Sequence, residues 1–268
     1  MIPGTGTRVL ALLGDPVRHS LSPRMHNAGF RAAGLDAIYV ALACSESDLP
    51  GVMRTLAATG GGGNITVPHK AAAAGAGTGD ARVSRLGVAN VFSSRDGGLV
   101  LGNTDVDGML ALVDRLGGPE GPWCVVGTGG SARAVAAAAA ERGARLAIRS
   151  RSTERRDAFR SWAADLGVEP ADPAECTLLV NATPIGLGDD DPCPVSLAEF
   201  PGLLAVADLT YRRSGTTALV QAAREQGVAA EDGLEMLLVQ GMAGWRHWFD
   251  GIDPPGEVMR AALREAMG

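Results

Sequence analysis

The chain has 268 residues, 46% of them hydrophobic and 20% charged, with a net charge of −6, enough for one large domain or two ordinary ones around a real core. That acidic balance and an aromatic content of 4% exclude nucleic-acid binding as the main task, and no apolar run approaches the roughly 20 residues that cross a bilayer. The opening "MIPGTGTRVLALLGDP" lacks the long apolar segment of a secretory signal, and Cys44, Cys124, Cys176 and Cys193 form no CxxC pair; a cytoplasmic protein with reduced cysteines is expected.

In chain order, "RVLALLG" (8–14), "DAIYVAL" (36–42), "GNITV" (63–67), "VANVFSS" (88–94) and "LVLGN" (99–103) are short apolar runs bounded by Gly, Pro or polar residues. Amphipathic stretches lie between them near 23–33, 46–58 and 68–74. This alternation predicts an α/β domain with a largely parallel sheet. A helix over 105–116 then leads into "GGPEGP", a loop or domain junction.

Beyond the junction an apolar strand (123–126) meets the turn Gly127-Thr128-Gly129-Gly130-Ser131-Ala132, followed by an alanine-rich helix and a strand at 145–149. Strand, glycine turn, helix and strand in this order form a βαβ unit that binds a dinucleotide. The glycines admit a tight turn and close approach to a pyrophosphate, and Ala132 is small enough for the helix to pack on the strand. The end of the second strand selects the cofactor. It reads "IRSRSTERR", with Arg149, Arg151, Arg155 and Arg156 and no carboxylate before Glu154. Guanidinium groups suit a 2′-phosphate, so NADP(H) is expected rather than NAD. Further strands are predicted at 177–183 and 203–209, and the C-terminal segment is helical in pattern.

Within the first hundred residues, Ser20-Leu21-Ser22-Pro23, "NITVPHK" (64–70), Ala89-Asn90 and Asn103-Thr104-Asp105 each follow or end a predicted strand, where open α/β sheets bind ligands. Each also has a structural reading. Ser22 is a good helix N-cap with Pro23 at the first helical position, Pro68 opens a short helix, Asn90 and Asn103 are turn formers, and Asp105 caps the next helix. Lys70 stands apart, because 23 of the 24 basic residues are arginine and it is the one lysine. An ammonium can donate its proton, and a guanidinium cannot. The acidic runs Asp189–Asp191 and Glu231-Asp232 read as solvated loops, and no metal is expected.

Taken together, "SLSP", "NITVPHK", "NTD", "GTGGSARA", "NATPIGL", "DLTY" and "EMLLVQG" resemble the signatures of the shikimate dehydrogenase family over nearly the whole chain. The resemblance implies an α/β protein of two domains with a cleft between them. One is an open, mostly parallel α/β substrate domain (1–108 plus 235–268); the other is a Rossmann-like NADP-binding domain (109–234). It implies reversible NADP-dependent reduction of 3-dehydroshikimate to shikimate, in aromatic amino-acid biosynthesis. A quinate or aminoshikimate dehydrogenase and a non-catalytic NADP or shikimate sensor are the alternatives, and a monomer or homodimer is expected.

Position by position, the resemblance makes Lys70 and Asp105 the catalytic pair. Ser20 and Ser22 match the serines that bind the substrate carboxylate. Asn64, Thr66, Asn90 and Gln240 match residues bonded to the ring hydroxyls, and Tyr211 a tyrosine of the substrate site. Cofactor contacts fall to Gly127, Thr128, Gly129, Gly130, Ser131, Ala132, Arg149, Ser150, Arg151 and Arg155, with Asn181, Thr183 and Gly233. The chain departs from the family at Val106 and Asp107, where N-T-D-G-x-G is usual, at Val91 after Asn90, and at Ser150 in the "NRT" position.

Overall fold

The computed structural model describes residues 2–213 and 215–267. They form two compact units, Met1–Thr104 with Leu237–Gly268, and Asp105–Met236.

The first unit carries β1 (Arg8–Gly14), α1 (Ser22–Ala32), β2 (Ala37–Ala43), α2 (Leu49–Ala58), β3 (Gly62–Ile65), α3 (Lys70–Ala74), β4 (Thr78–Gly79), α4 (Ala81–Leu86), β5 (Val91–Arg95) and β6 (Gly98–Gly102). Its sheet has the order β2-β1-β3-β5-β6-β4. β1 lies inside the sheet, next to the edge strand β2, and its unbroken apolar run is buried from Leu10 onward, as a strand covered on both faces requires. It pairs in parallel with β2 and β3. The backbone of β3 lies so close to β1 that a Cβ on Gly63 would stand 1.9 Å from the Ala11 carbonyl oxygen. Only glycine is tolerated there.

The expected largely parallel sheet is interrupted at one place. β5 runs antiparallel to both β3 and β6. The cause is a two-residue hairpin at Asp96 and Gly97, with φ of 52° and 78°, the left-handed pair that matches the twist of antiparallel strands. The reversal brings the start of β5 beside the ends of its neighbours, since Val91 pairs with both Asn64 and Gly102. Asn90 therefore occupies the same rim as the carboxyl ends of β3 and β6.

The second unit opens with α5 (Asp105–Arg115) and continues through β7 (Trp123–Val126), α6 (Gly130–Glu141), β8 (Leu146–Arg149), α7 (Thr153–Asp165), β9 (Leu178–Asn181), β10 (Ala205–Asp208), α8 (Ala218–Glu225) and β11 (Ala229–Glu231). All its strands are parallel, in the order β11-β10-β9-β7-β8. The direction of winding reverses between β7 and β9, so the switch point, where such sheets bind ligands, lies at their carboxyl ends. Ala132, Ala134, Ala136, Ala138 and Ala139 of α6 are buried, which lets that helix lie close to its neighbours. Leu179 and Val206 meet Leu219, Val220 and Ala223 of α8 in one core.

α9 (Leu234–Trp248) and α10 (Gly256–Met267) end the chain. Trp245, Trp248 and Phe249 are buried with Phe30 of α1. All four cysteines are free. Among the described residues no helix is long and apolar enough to cross a membrane, and no group of three His, Cys, Asp or Glu is placed to hold a metal ion.

Candidate active site

The loop after β1 carries the two serines, and the structure reverses the expected division of labour between them. Ser22 is not the N-cap of α1. It is already the first helical residue, and Leu21 takes the cap position with no side-chain cap bond of its own. Ser20 instead bends back, its Oγ accepting from the Ser22 backbone N–H and lying 3.1 Å from the Ser22 hydroxyl. Two bonded hydroxyls thus stand at the N-terminal turn of a helix, the end whose dipole favours an anion.

The loop after β3 packs against the end of β1. The Thr66 N–H donates to the Leu13 carbonyl, and the Asp15 N–H to the Val67 carbonyl. Pro68 does not open a helix. It sits in a turn, and α3 begins two residues later, with Lys70 as its first residue. Lys70 is 8% exposed and Asp105, at the start of α5, is 4% exposed. His69 bonds the Cys44 carbonyl through Nε2, in keeping with a structural neighbour rather than a second acid.

The amides behind this rim form one network. Asn90 Oδ1 accepts from the Thr104 N–H at 2.7 Å, and its Nδ2 donates to Thr104 Oγ1 and Gln240 Oε1. Asn64 Nδ2 donates to the Asn90 carbonyl, and Asn64 Oδ1 accepts from the Tyr39 hydroxyl at 2.7 Å. Asn103 ties the same rim to the loop before β5, donating to the Val88 carbonyl. Thus Asn64, Asn90 and Gln240, distant in sequence, form a single bonded group that also takes in Thr104 of the Asn103-Thr104-Asp105 motif and Tyr39, which the sequence did not mark. The Asp96-Gly97 hairpin signal places Asn90 there; nothing local in the sequence marks Tyr39.

In the second unit the turn after β7 has the predicted form. Gly127 has φ of 109°, and a Cβ there would stand 3.0 Å from Thr183 Cγ2 and 3.1 Å from the Ala182 carbonyl. Gly129 takes the N-cap of α6 with no side-chain cap bond, and the N-terminus of a helix favours a phosphate. Thr128 and Ser131 border this turn and Ala132 is fully buried beneath it.

Past β8 the arginines divide. The Arg149 guanidinium forms an ion pair with Glu199, which the sequence did not anticipate. Arg151 and Arg155 are exposed and, among the described residues, carry no ion pair. Ser150 Oγ accepts from the Ser152 N–H, and Ser152 caps α7 through the Arg155 N–H. This cradle fits a phosphorylated dinucleotide: a turn that a Cβ would fill, a helix N-terminus, and two unpaired guanidinium groups beyond the second strand.

One side chain expected among the cofactor contacts is engaged within the protein. The Asn181 side chain is fully buried and all its bonding capacity is used within the protein. Its Nδ2 donates to the Ile185 carbonyl and to Asp208 Oδ1, and its Oδ1 accepts from the Thr183 N–H and hydroxyl. It holds the loop after β9 in shape rather than meeting a cofactor with its amide. Asp208, which sequence reasoning did not single out, anchors the far side of that loop and accepts from the Thr210 N–H and hydroxyl as well. Burial pushes the Asp208 carboxyl above the usual carboxylate range, against the lowering effect of these bonds, and burial raises Asp232 likewise. The Gly233 N–H donates to the Thr210 carbonyl, and Tyr211 is half-buried on the same loop.

A parallel sheet with a phosphate turn at its switch point, joined to a second α/β unit whose rim gathers hydroxyls, amides and a buried lysine, defines the class of two-domain nucleotide-dependent oxidoreductases. Residues 12–92 match the family model of the shikimate dehydrogenase substrate binding domain, and residues 233–264 that of the shikimate 5′-dehydrogenase C-terminal domain. The shikimate dehydrogenase (NADP(+)) of Rubrobacter xylanophilus is 39% identical over 96% of this chain and 95% of its own length. That of Halobacterium salinarum is 37% identical over 96% of this chain and 98% of its own. The Thermus thermophilus shikimate 5-dehydrogenase, solved in complex with NADP(H) and shikimate, superposes with a TM-score of 0.86 at 34% identity, over 96% of this chain and 99% of that one. The chain belongs to the shikimate dehydrogenase family.

Proposed function

We propose that this chain catalyses the reversible NADP-dependent reduction of 3-dehydroshikimate to shikimate. The observation that carries the reading is the burial of the one lysine at the rim where the Asn64–Asn90–Gln240 network ends, in a chain similar to NADP-dependent shikimate dehydrogenases from end to end. Substrate falls to residues 1–108 with 235–268 and cofactor to residues 109–234.

In this reading the hydroxyls of Ser20 and Ser22 and the first turn of α1 take the substrate carboxylate, a neutral anion site with no arginine. Asn64, Thr66, Asn90 and Gln240 meet the ring hydroxyls, with Tyr211 at the border of the site. Gly127, Thr128, Gly129, Gly130, Ser131 and Ala132 enclose the pyrophosphate. Arg151 and Arg155 take the 2′-phosphate, flanked by Arg149 and Ser150, and Thr183 and Gly233 line the loops nearer the reacting ring.

When bound, NADPH supplies a hydride to the ketone carbon. Lys70 holds its ammonium against the ketone oxygen, stabilises the charge that develops there and donates the proton; in oxidation it receives that proton back. Asp105 keeps substrate and lysine in register. Each of the two side chains is buried within the protein, and a charge in low dielectric acts strongly at short range. A positioned acid of this kind contributes about 10²–10⁴-fold.

Initial rates with shikimate and quinate, each with NADP⁺ and NAD⁺, test the assignment. Shikimate with NADP⁺ is expected to give the highest kcat/KM. Faster turnover of quinate reassigns the substrate, equal use of NAD⁺ removes the role of Arg151 and Arg155, and cofactor binding without turnover of any cyclohexene acid makes the chain a sensor.

A further inference from the structure

Behind the amide network lies a side chain with no place yet in the chemistry. Tyr39 is 1% exposed, and its hydroxyl donates to Asn64 Oδ1 at 2.7 Å. Everything around it prevents movement. Asn27 of α1 clamps its backbone from both sides, donating to the Tyr39 carbonyl at 2.7 Å and accepting from its N–H at 2.8 Å. The pair completes the outer edge of β2, which has a neighbour in the sheet on one side alone. The ring stacks on His26 at 4.4 Å and 24°, and Trp248 crosses it at 5.9 Å. Trp248 is itself anchored, its Nε1–H donating to the Phe92 carbonyl.

Asn64 is held from two ends by partners that demand opposite atoms. The Asn90 carbonyl accepts and requires the NH₂ group; the Tyr39 hydroxyl donates and is met by the carbonyl oxygen. Rotating the amide by half a turn would set oxygen against the Asn90 carbonyl. The phenol cannot compensate by ionising, because burial pushes its pKa far above the ordinary tyrosine value. The side-chain inventory leaves Asn64 one N–H and one lone pair uncommitted. Their directions are set by Tyr39 and Asn90 together.

We infer that Tyr39 is a positioning residue for substrate: its buried hydroxyl fixes the Asn64 amide in the one orientation that meets the ring hydroxyls of the substrate. The inference rests on the proposed assignment of Asn64 to the substrate site. Tyr39 acts through Asn64, to which its buried hydroxyl donates, so its effect belongs in substrate KM. Removal frees the amide at one end and leaves the Asn90 bond in place.

The test is a double-mutant cycle with Tyr39→Phe and Asn64→Ala, read as separate KM and kcat values for shikimate and NADP⁺. Phenylalanine keeps the ring stack on His26 and removes only the hydroxyl. Tyr39→Phe is expected to raise KM for shikimate about 3- to 10-fold, the loss of one ordinary hydrogen bond. kcat and KM for NADP⁺ should stay within about twofold. In the Asn64→Ala background the same substitution should change KM for shikimate no further. An unchanged KM in Tyr39→Phe overturns the inference, and so does an equal rise in both backgrounds, which marks a purely structural role. An Asn64→Ala enzyme with wild-type KM removes Asn64 from the substrate site and the inference with it; in that case the fault lies in the site assignment rather than in the Tyr39 bond.

Discussion

The two units solve the same problem, presenting polar groups along one rim of a sheet, with different materials. The second unit uses backbone: a glycine turn with φ of 109° at Gly127 and the N-terminal turn of α6 behind Gly129. The first unit uses side chains, bonded to each other before any ligand arrives: Ser20 to Ser22, and Tyr39 to Asn64 to Asn90 to Gln240. Backbone N–H groups suit a phosphate that is recognised by charge alone. A ring bearing several hydroxyls needs donors and acceptors at separate places, which fixed amides provide. The wholly parallel sheet accompanies the first arrangement, and the antiparallel β5 the second, because only its reversal returns Asn90 to the working edge.

The contrast can be broken most severely at Lys70. Lys70→Ala is expected to lower kcat about 10²–10⁴-fold while NADPH, held by the other unit, still quenches or transfers fluorescence at wild-type concentrations. Lys70→Arg should fail nearly as badly, because a guanidinium does not release its proton near neutral pH. Either variant turning over at wild-type rates would remove Lys70 from the chemistry.

Gly127→Ala tests the backbone side. A side chain is forced into a φ that costs on the order of 1–3 kcal/mol and meets the Ala182 carbonyl at 3.1 Å. The dissociation constant for NADPH, measured by calorimetry, should rise roughly 10- to 100-fold, with tritiated or fluorescent shikimate binding preserved.

The smaller effects concern pH. His26 is fully buried, and burial lowers its pKa from 6.5 to about 3. The unfolded chain therefore takes up a proton below 6.5 that the folded chain refuses, and stability falls as pH drops from 6.5 toward 3, by at most about 1.4 kcal/mol per unit. Unfolding midpoints in urea over that range should fall less steeply in His26→Phe than in the wild type.

Asp208 has the opposite sign. Its carboxyl is raised in the folded state, so the folded chain binds the extra proton, and stability decreases as pH rises from the unfolded value of 3.8 through the folded one. Asp208→Asn keeps the acceptor for Asn181 and Thr210 and removes the buried charge. Its unfolding midpoint relative to wild type should therefore be higher at pH 8 than at pH 4, and a difference independent of pH would refute the assignment.

Much of this was visible before any fold. β1, β2, β7, β8 and β9 are short apolar runs with glycine or polar borders, and the G-T-G-G-S-A turn lies between a strand and a helix, where phosphate binding requires it. The first-unit motifs all appeared at strand ends, and Lys70 stood out by composition alone. At other places the tertiary structure adds partners that the residue type does not show. Ser22 has the residue type and the following proline of an N-cap, but Ser20 Oγ takes its backbone N–H, so the helix starts one residue early. Asn181 sits in a cofactor-binding motif, yet Asp208 and Thr183 use its amide completely. The Arg149 positive charge is real, but Glu199, fifty residues away, shares it.

What the sequence determined by itself is local: periodicity, turn chemistry, the phosphate loop and the identity of the groups able to do chemistry. These depend on neighbours within a few residues, so they are written in residue order. What only the tertiary structure decided is which polar groups are already paired. Tyr39 and Asn64 are separated by 25 residues, and Asn90 and Gln240 by 150. A hydrogen bond depends on distance in space and on which lone pairs remain uncommitted, and neither quantity has a period along the chain.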